Sequence, residues 1–278
     1  MILADLHLHT TKSDGRLTPT ELVRLAVRRG LEVIAITDHD STEGLEEAFE
    51  ASKAYPNLSI IPGIELSTDI PGNEVHLLGY FIDYKNENFQ VILKNFRDGR
   101  KYRSKKMVEK LAAMGVNISW DRVNELSNGG AIGRPHIAQA MLEKGYIKLP
   151  QEAFEGYLER NGPAYVEREK HTPSEAVQMI RSVGGIAVMA HPMEVDNREN
   201  LLPELCNAGL GGIEVFYGYY TDKQVKYLVQ LSKKWNLIPC GGSDYHALGT
   251  PGEPEPGQVG PPMQSVEALL KLAPATKL

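Results

Sequence analysis

The sequence predicts an α/β fold in which seven strands alternate with helices around a closed or nearly closed barrel. Two observations carry this. Short apolar runs ending in polar or turn residues recur between stretches of helical periodicity. The chain has 278 residues, a length that one α/β barrel routinely reaches. The alternation breaks once, over residues 88–160, which read as helical throughout. A doubly wound open sheet is the alternative arrangement of the same elements.

Residues 2–7 (ILADLH) read as the first strand. Thr18 caps a helix to about Arg29, with Pro19 at its first position, Glu21 completing a capping box and Gly30 past its end. Residues 32–37 are a second strand, 43–54 a helix and 59–66 a third strand. The fourth strand spans about Glu74–Asp83. The link between strands three and four is too short for a crossover helix, so they form an antiparallel hairpin. That sets the start of strand four beside the end of strand three. Helices follow near 88–114, 120–126, 134–144 and 150–160. We read residues 87–168 as an inserted small helical subdomain, with residues 1–86 and 169–278 forming the barrel domain. The alternation then returns, with helices at 173–183, 199–208 and 221–235 and strands at 185–190, 212–217 and 237–242. The Pro/Gly-rich segment 249–262 is loop, and a short helix covers 264–272.

Composition bounds the function. Apolar content of 42% and charged content of 24% are those of a globular protein. No apolar run approaches the roughly 20 residues that span a bilayer, and no signal segment is evident, so a cytoplasmic location is expected. A net charge of −6 argues against a large footprint on duplex nucleic acid, but not against a small phosphorylated substrate. The two cysteines, Cys206 and Cys240, follow no metal or redox spacing and read as reduced, packed thiols. Nucleophile-elbow, phosphate-loop, dinucleotide-fold and zinc-protease patterns are absent.

The histidines point elsewhere. Seven of the eight fall at strand ends or in adjoining loops: His7, His9, His39, His76, His136, His191 and His246. Asp14, Glu65 and Asp244 occupy comparable places. Any one histidine alone is more commonly a cap or a hydrogen-bonded core group. Together they are hard to explain by packing. His7 and His9 are two apart on a strand and share a face. Asp244 and His246 repeat that spacing at the last strand, which in a barrel neighbours the first. Such a cluster is costly to desolvate without cations. Nitrogen and oxygen donors without thiolate suit Zn, Mn or Fe. A two-metal centre acidifies a water and clamps both oxygens of a phosphoryl transfer. Glu65 is the candidate bridge.

The motifs DLHLHT followed by Asp14, then AITDHD, PGIELS, EVHLLGY, AHP and GGSDYH resemble the PHP (polymerase and histidinol phosphatase) family, from residue 5 to 246. The resemblance implies a distorted (β/α)7 barrel holding two or three divalent metal ions. By matching position, one metal takes His7, His9, Glu65 and Asp244. A second shares Glu65 and takes His76 and His191. A third takes Asp14, His39 and His246. The insertion with GRPH is similar to the subgroup that removes the 3′-phosphate of nucleoside 3′,5′-bisphosphates, some members of which trim short RNA from its 5′ end. It implies that Arg134 and His136 reach the substrate phosphate, as catalytic and substrate-binding residues, while metal-activated hydroxide attacks phosphorus. Alternatively, Arg134 pairs with a surface carboxylate and His136 is a helix-start residue. Rival readings are a 5′–3′ exonuclease on short RNA or DNA, a histidinol-phosphate-type phosphatase and a non-catalytic metal-binding module. The expected partners are a small phosphorylated nucleotide or a short single-stranded end, with no membrane and no obligate protein partner.

Other features are less directive. Arg97, Arg100, Lys101 and Lys105 fall near one helical face, as a solvated surface or an oligonucleotide contact. His171 precedes a helix cap and reads as structural. Tyr217, Tyr219 and Tyr220 are either base-stacking residues or half-buried loop aromatics. Asp38 and Asp40 flank His39, and either could orient it.

Overall fold

In the computed structural model, residues 2–167, 171–250 and 252–273 are described. Seven strands form one sheet in sequence order: β1 (Ala4–Leu8), β2 (Val33–Ile36), β3 (Ser59–Ile70), β4 (Asn73–Tyr80), β5 (Ile186–Met189), β6 (Gly212–Tyr217) and β7 (Ile238–Gly242). The first three pair in parallel, as do the last three, and β4 runs antiparallel to both β3 and β5. The sheet closes on itself just beyond β7. There Leu8 bridges Tyr245, and the Asp244 N–H donates to the His7 carbonyl at 2.9 Å. The result is a nearly closed barrel, as the strand count predicts, rather than the open sheet.

The strands are short and almost wholly buried because helices cover them. Helices α1 (Pro19–Arg28) and α2 (Leu45–Ser52) bury Leu22, Val23, Ala26 and Leu45 against Leu8, Ile34 and Ile36. Thr18 and Glu21 form the expected capping box on α1. Opposite, α7 (Pro173–Ser182), α8 (Arg198–Ala208) and α9 (Asp222–Lys234) share a core with Ile64, Leu77, Met189 and Ile213. Helix α10 (Met263–Leu272) adds Val266 and Leu269 beside Ala4 and Leu6. Tyr80 of β4 spans to β1, where its hydroxyl donates to the Leu6 carbonyl at 2.9 Å. The barrel is therefore filled, not a pore.

Between β4 and α7 lie α3 (Glu87–Ala113), α4 (Trp120–Leu126), α5 (Arg134–Glu143) and α6 (Pro150–Ala153). The helix expected over 150–160 breaks after α6 into a π-helical turn, Phe154–Leu158. These helices bury their own cluster, including Met107, Leu111, Val123, Ile137 and Met141. The expected boundary at residues 168 and 169 lies outside the described residues.

Strand β3 runs four residues past its expected end. Its ladder with β4 continues out to Ile70 opposite Asn73. Pro71 and Gly72 turn the chain there, with Gly72 at φ 89°, a left-handed conformation costly for other residues. Because β4 is antiparallel, its beginning lies at the same barrel end as the termini of β3 and β5. That places His76 at the mouth.

Candidate metal centre

The nine expected ligands reach the barrel mouth from the strands or from the loops that follow them. His7 and His9 leave β1 on one face, with ring centroids 5.2 Å apart. Asp14 sits in the following loop. Gly15 is forced in that loop, because a Cβ there would come within 2.5 Å of the His9 carbonyl oxygen. His39 follows β2, Glu65 lies within β3, His191 follows β5, and Asp244 and His246 follow β7. Asp40, His191 and Asp244 all have positive φ, 51°, 26° and 54°. Non-glycine residues held in this region cluster at functional sites.

Glu65 is 1% exposed and divides its two oxygens. Oε2 lies 3.3 Å from His7 Nε2, 3.2 Å from His9 Nε2 and 3.1 Å from His39 Nδ1. Oε1 lies 2.9 Å from His76 Nδ1 and 3.1 Å from His191 Nε2. Asp244 Oδ1 meets the same His7 and His9 nitrogens at 3.2 and 3.0 Å. Asp14 lies 3.3 Å from His246 Nε2 and 3.8 Å from His39 Nε2.

Three groups of donor atoms converge closely enough to hold an ion: His7, His9, Glu65 and Asp244; His9, Asp14, His39 and His246; and His39, Glu65 and His76. The first matches the set carried over from the sequence. The second adds His9 to it. The third has His39 where His191 was expected, although His191 touches the same Glu65 oxygen as His76.

The donors fit a metal. Among the described residues, His9 Nε2, His39 Nδ1, His76 Nε2, His191 Nδ1 and Asp14 Oδ1 are buried without a hydrogen-bond partner. Several lie within 3.3 Å of a carboxylate oxygen or another donor yet are misaligned for hydrogen bonding. Donor atoms that gather in groups within 4.8 Å of one another and are incompletely paired are what a cation requires.

The electrostatics agree. Burial would raise the carboxyls of Glu65 and Asp14, but the surrounding imidazoles outweigh it and hold both well below the ordinary range. Burial would lower His246, and Asp14 and Asp244 instead push it up to about 10. His7 is raised well above its usual value in the same way, against burial, by Asp244, Glu214 and Glu65.

The surrounding residues sort the remaining expectations. Asp38 does not orient His39. It accepts from the Thr10 N–H and hydroxyl, both at 2.7 Å, and from the Ser13 hydroxyl at 2.6 Å, fixing the loop that carries Asp14. Asp40 accepts from the Ser67 N–H and from Arg100. Arg100 is thus buried and committed, while Lys101 and Lys105 are exposed. Tyr217 is buried and donates to Asp244 Oδ2 at 2.8 Å, and Tyr219 is exposed. His171 stacks on Phe96 at 4.3 Å, away from the mouth. Cys206 and Cys240 are free thiols.

Arg134 and His136 begin α5 at the lip. A Cβ on Gly133 would lie 3.5 Å from Asp14 Oδ2, so this turn sits directly against an expected ligand. His136 Nδ1 accepts from the Gly133 N–H at 3.0 Å. Burial lowers its pKa, so the neutral ring carries its proton on Nε2. Arg134 donates to Glu74, which also accepts from Arg103. The carboxylate partner expected as an alternative is therefore present. A cavity of about 280 Å³ lined by Asp14, Arg16, Pro135, His136 and Gln139 opens beside the lip.

Sequence reading missed Glu214. It lies on β6, fully buried, and its oxygens accept from His7 Nδ1 at 3.0 Å and the His191 N–H at 2.7 Å. An acid inside the apolar run GIEVFY was the available signal.

A filled α/β barrel whose mouth gathers six imidazoles and three carboxylates is the framework of a metal-dependent hydrolase. The chain belongs to the PHP domain family, whose model matches residues 5–163. It is 34% identical to the 3′,5′-nucleoside bisphosphate phosphatase of Chromobacterium violaceum, over 89% of this chain and 88% of that protein. It is 32% identical to the 5′–3′ exoribonuclease Rnm of Salmonella typhimurium, covering 88% and 85%. A Bifidobacterium adolescentis protein assigned as a metal-dependent phosphoesterase superposes with a TM-score of 0.88 at 30% identity, covering 98% and 97%. The chain is accordingly a metal-dependent hydrolase acting on phosphate esters. No described helix is long and apolar enough to cross a membrane.

Proposed function

We propose that the chain removes the 3′-phosphate of nucleoside 3′,5′-bisphosphates in the cytoplasm, using two or three Mn, Fe or Zn ions. The observation that carries this reading is the α5 turn against Asp14, which brings Arg134 and His136 to the lip of the ligand cluster. The 34% identity to a protein with that activity supports it. His7, His9, Asp14, His39, Glu65, His76, His191, Asp244 and His246 hold the ions. When bound, they supply Lewis-acid charge and acidify a water for attack on phosphorus.

The remaining work falls to side chains. His136 donates from Nε2 to a phosphate oxygen, since Nδ1 is already accepting. Arg134 shares Glu74 with Arg103, so two guanidinium groups face one carboxylate, and an incoming phosphate competes for the Arg134 fork. The cavity beside Asp14 receives the organic part of the ester. A short RNA end presents the same phosphate chemistry, and the exoribonuclease relative favours that second reading. The helices between β4 and α7 act as a small subdomain that supplies the lip.

The test is phosphate release by Mn-loaded protein from adenosine 3′,5′-bisphosphate, histidinol phosphate and a short 5′-phosphorylated RNA. Preferred release from the bisphosphate, lost in Arg134→Ala, is expected. Turnover confined to either of the other substrates would overturn the substrate assignment.

A further inference from the structure

We infer that Glu214 is a positioning residue that couples two parts of the metal centre, setting the ring state of His7 and the backbone of His191 with one carboxylate. The inference rests on the metal reading above.

The geometry is specific. Glu214 is 0% exposed, and each oxygen has a different donor. Oε1 lies 3.0 Å from His7 Nδ1. A carboxylate can only accept, so Nδ1 donates to Glu214; Nε2 faces Glu65 and Asp244, and it is the nitrogen left to ligate once a metal displaces its proton. Such a carboxylate–histidine pair fixes ring orientation and raises donor basicity. Oε2 accepts from the His191 N–H at 2.7 Å. His191 holds φ 26° and ψ 57°, a conformation that needs an external restraint. That turn directs His191 Nε2 to the other oxygen of Glu65. One side chain therefore governs a histidine on the Oε2 side of Glu65 and another on the Oε1 side.

Glutamine is nearly isosteric but cannot serve both donors. If its carbonyl oxygen accepts from His7, its amide N–H₂ confronts the His191 N–H. If the oxygen accepts from His191, the amide donates to His7 Nδ1. The proton then moves to Nε2, and the donor facing Glu65 and Asp244 is lost. Either arrangement impairs one side of the centre while preserving volume.

The experiment compares wild type with Glu214→Gln and Glu214→Leu. Metal content is measured by elemental analysis, Mn and Zn affinity by competition with a chelator, and metal-free fold by circular dichroism and thermal melting. Glu214→Gln is expected to retain the metal-free fold and melting temperature to within a few degrees. It is expected to bind Mn or Zn about 10- to 100-fold more weakly, or to lose one ion per chain. A residue that only packs would shift the melting temperature and leave affinity in the folded protein unchanged. Wild-type affinity and stoichiometry in folded Glu214→Gln would overturn the proposal. Should Glu214→Leu fail to fold, the glutamine variant still decides. Wild-type protein that binds neither ion would overturn the metal reading itself, a separate outcome visible before any variant is made.

Discussion

The barrel mouth and the seam between the helical segment and the β3–β4 hairpin both bury charge, but they neutralise it differently. At the seam every guanidinium finds a carboxylate: Arg100 meets Asp40, Arg103 and Arg134 meet Glu74, and Arg160 meets Asp69. Those charges meet one another directly. At the mouth, three carboxylates face six imidazoles, and among the described residues five donor atoms there have no hydrogen-bond partner. Direct ion pairs hold two pieces of protein together. Convergent, unsatisfied donors need something from solution. The same residue types thus mark structure in one place and chemistry in the other.

Predictions follow from trying to make each region behave like the other. The largest effect is expected from Glu65→Ala, which removes the carboxylate shared by both sides of the mouth. Losing about 4 kcal/mol of charge stabilisation lowers kcat/KM by ~1000-fold. Steady-state phosphate release measures it, and activity within tenfold of wild type would remove Glu65 from its central place. Next is Arg100→Leu at the seam. It removes the guanidinium that faces the buried Asp40 carboxylate, so unfolding stability should fall by about 3 kcal/mol. Chemical denaturation of the metal-free protein reads this directly.

Arg134→Ala tests a residue that belongs to both regions. Removing one phosphate donor should lower kcat/KM by ~100-fold with a small stability change, because Arg103 still holds Glu74. A large stability loss with unchanged turnover would assign Arg134 to the seam alone. A fourth test uses pH. His7 and His246 are raised by neighbouring carboxylates, His246 to about 10, so both bind protons at neutral pH in the metal-free protein. A metal must displace those protons. Proton release is therefore expected on Mn binding, and apparent affinity should rise as pH increases from about 7 toward 10. Calorimetry in buffers of different ionisation enthalpy checks the sign, and proton uptake would contradict it. The smallest effect is expected at the exposed Lys101 and Lys105, whose replacement by Ala should change stability by less than about 0.5 kcal/mol each. A marked loss of affinity for short RNA would instead make that face a contact for the chain.

Sequence alone determined the strand–helix alternation, the α1 capping box and the identity of the metal-site candidates. These are local matters: capping depends on neighbouring residues, and histidines at strand ends stand out in a linear reading. It also placed His76 at the mouth, because a short link between strands forces a hairpin. Only the tertiary structure decided what depends on distant partners. It showed that Arg100 is buried against Asp40, that Asp38 serves the Thr10–Ser13 loop, and that Glu214 stands behind both His7 and His191. Residues 7 and 214 meet only because barrel closure brings β1 and β6 to a common interior. A carboxylate in an apolar strand does not announce its partner until that closure supplies one.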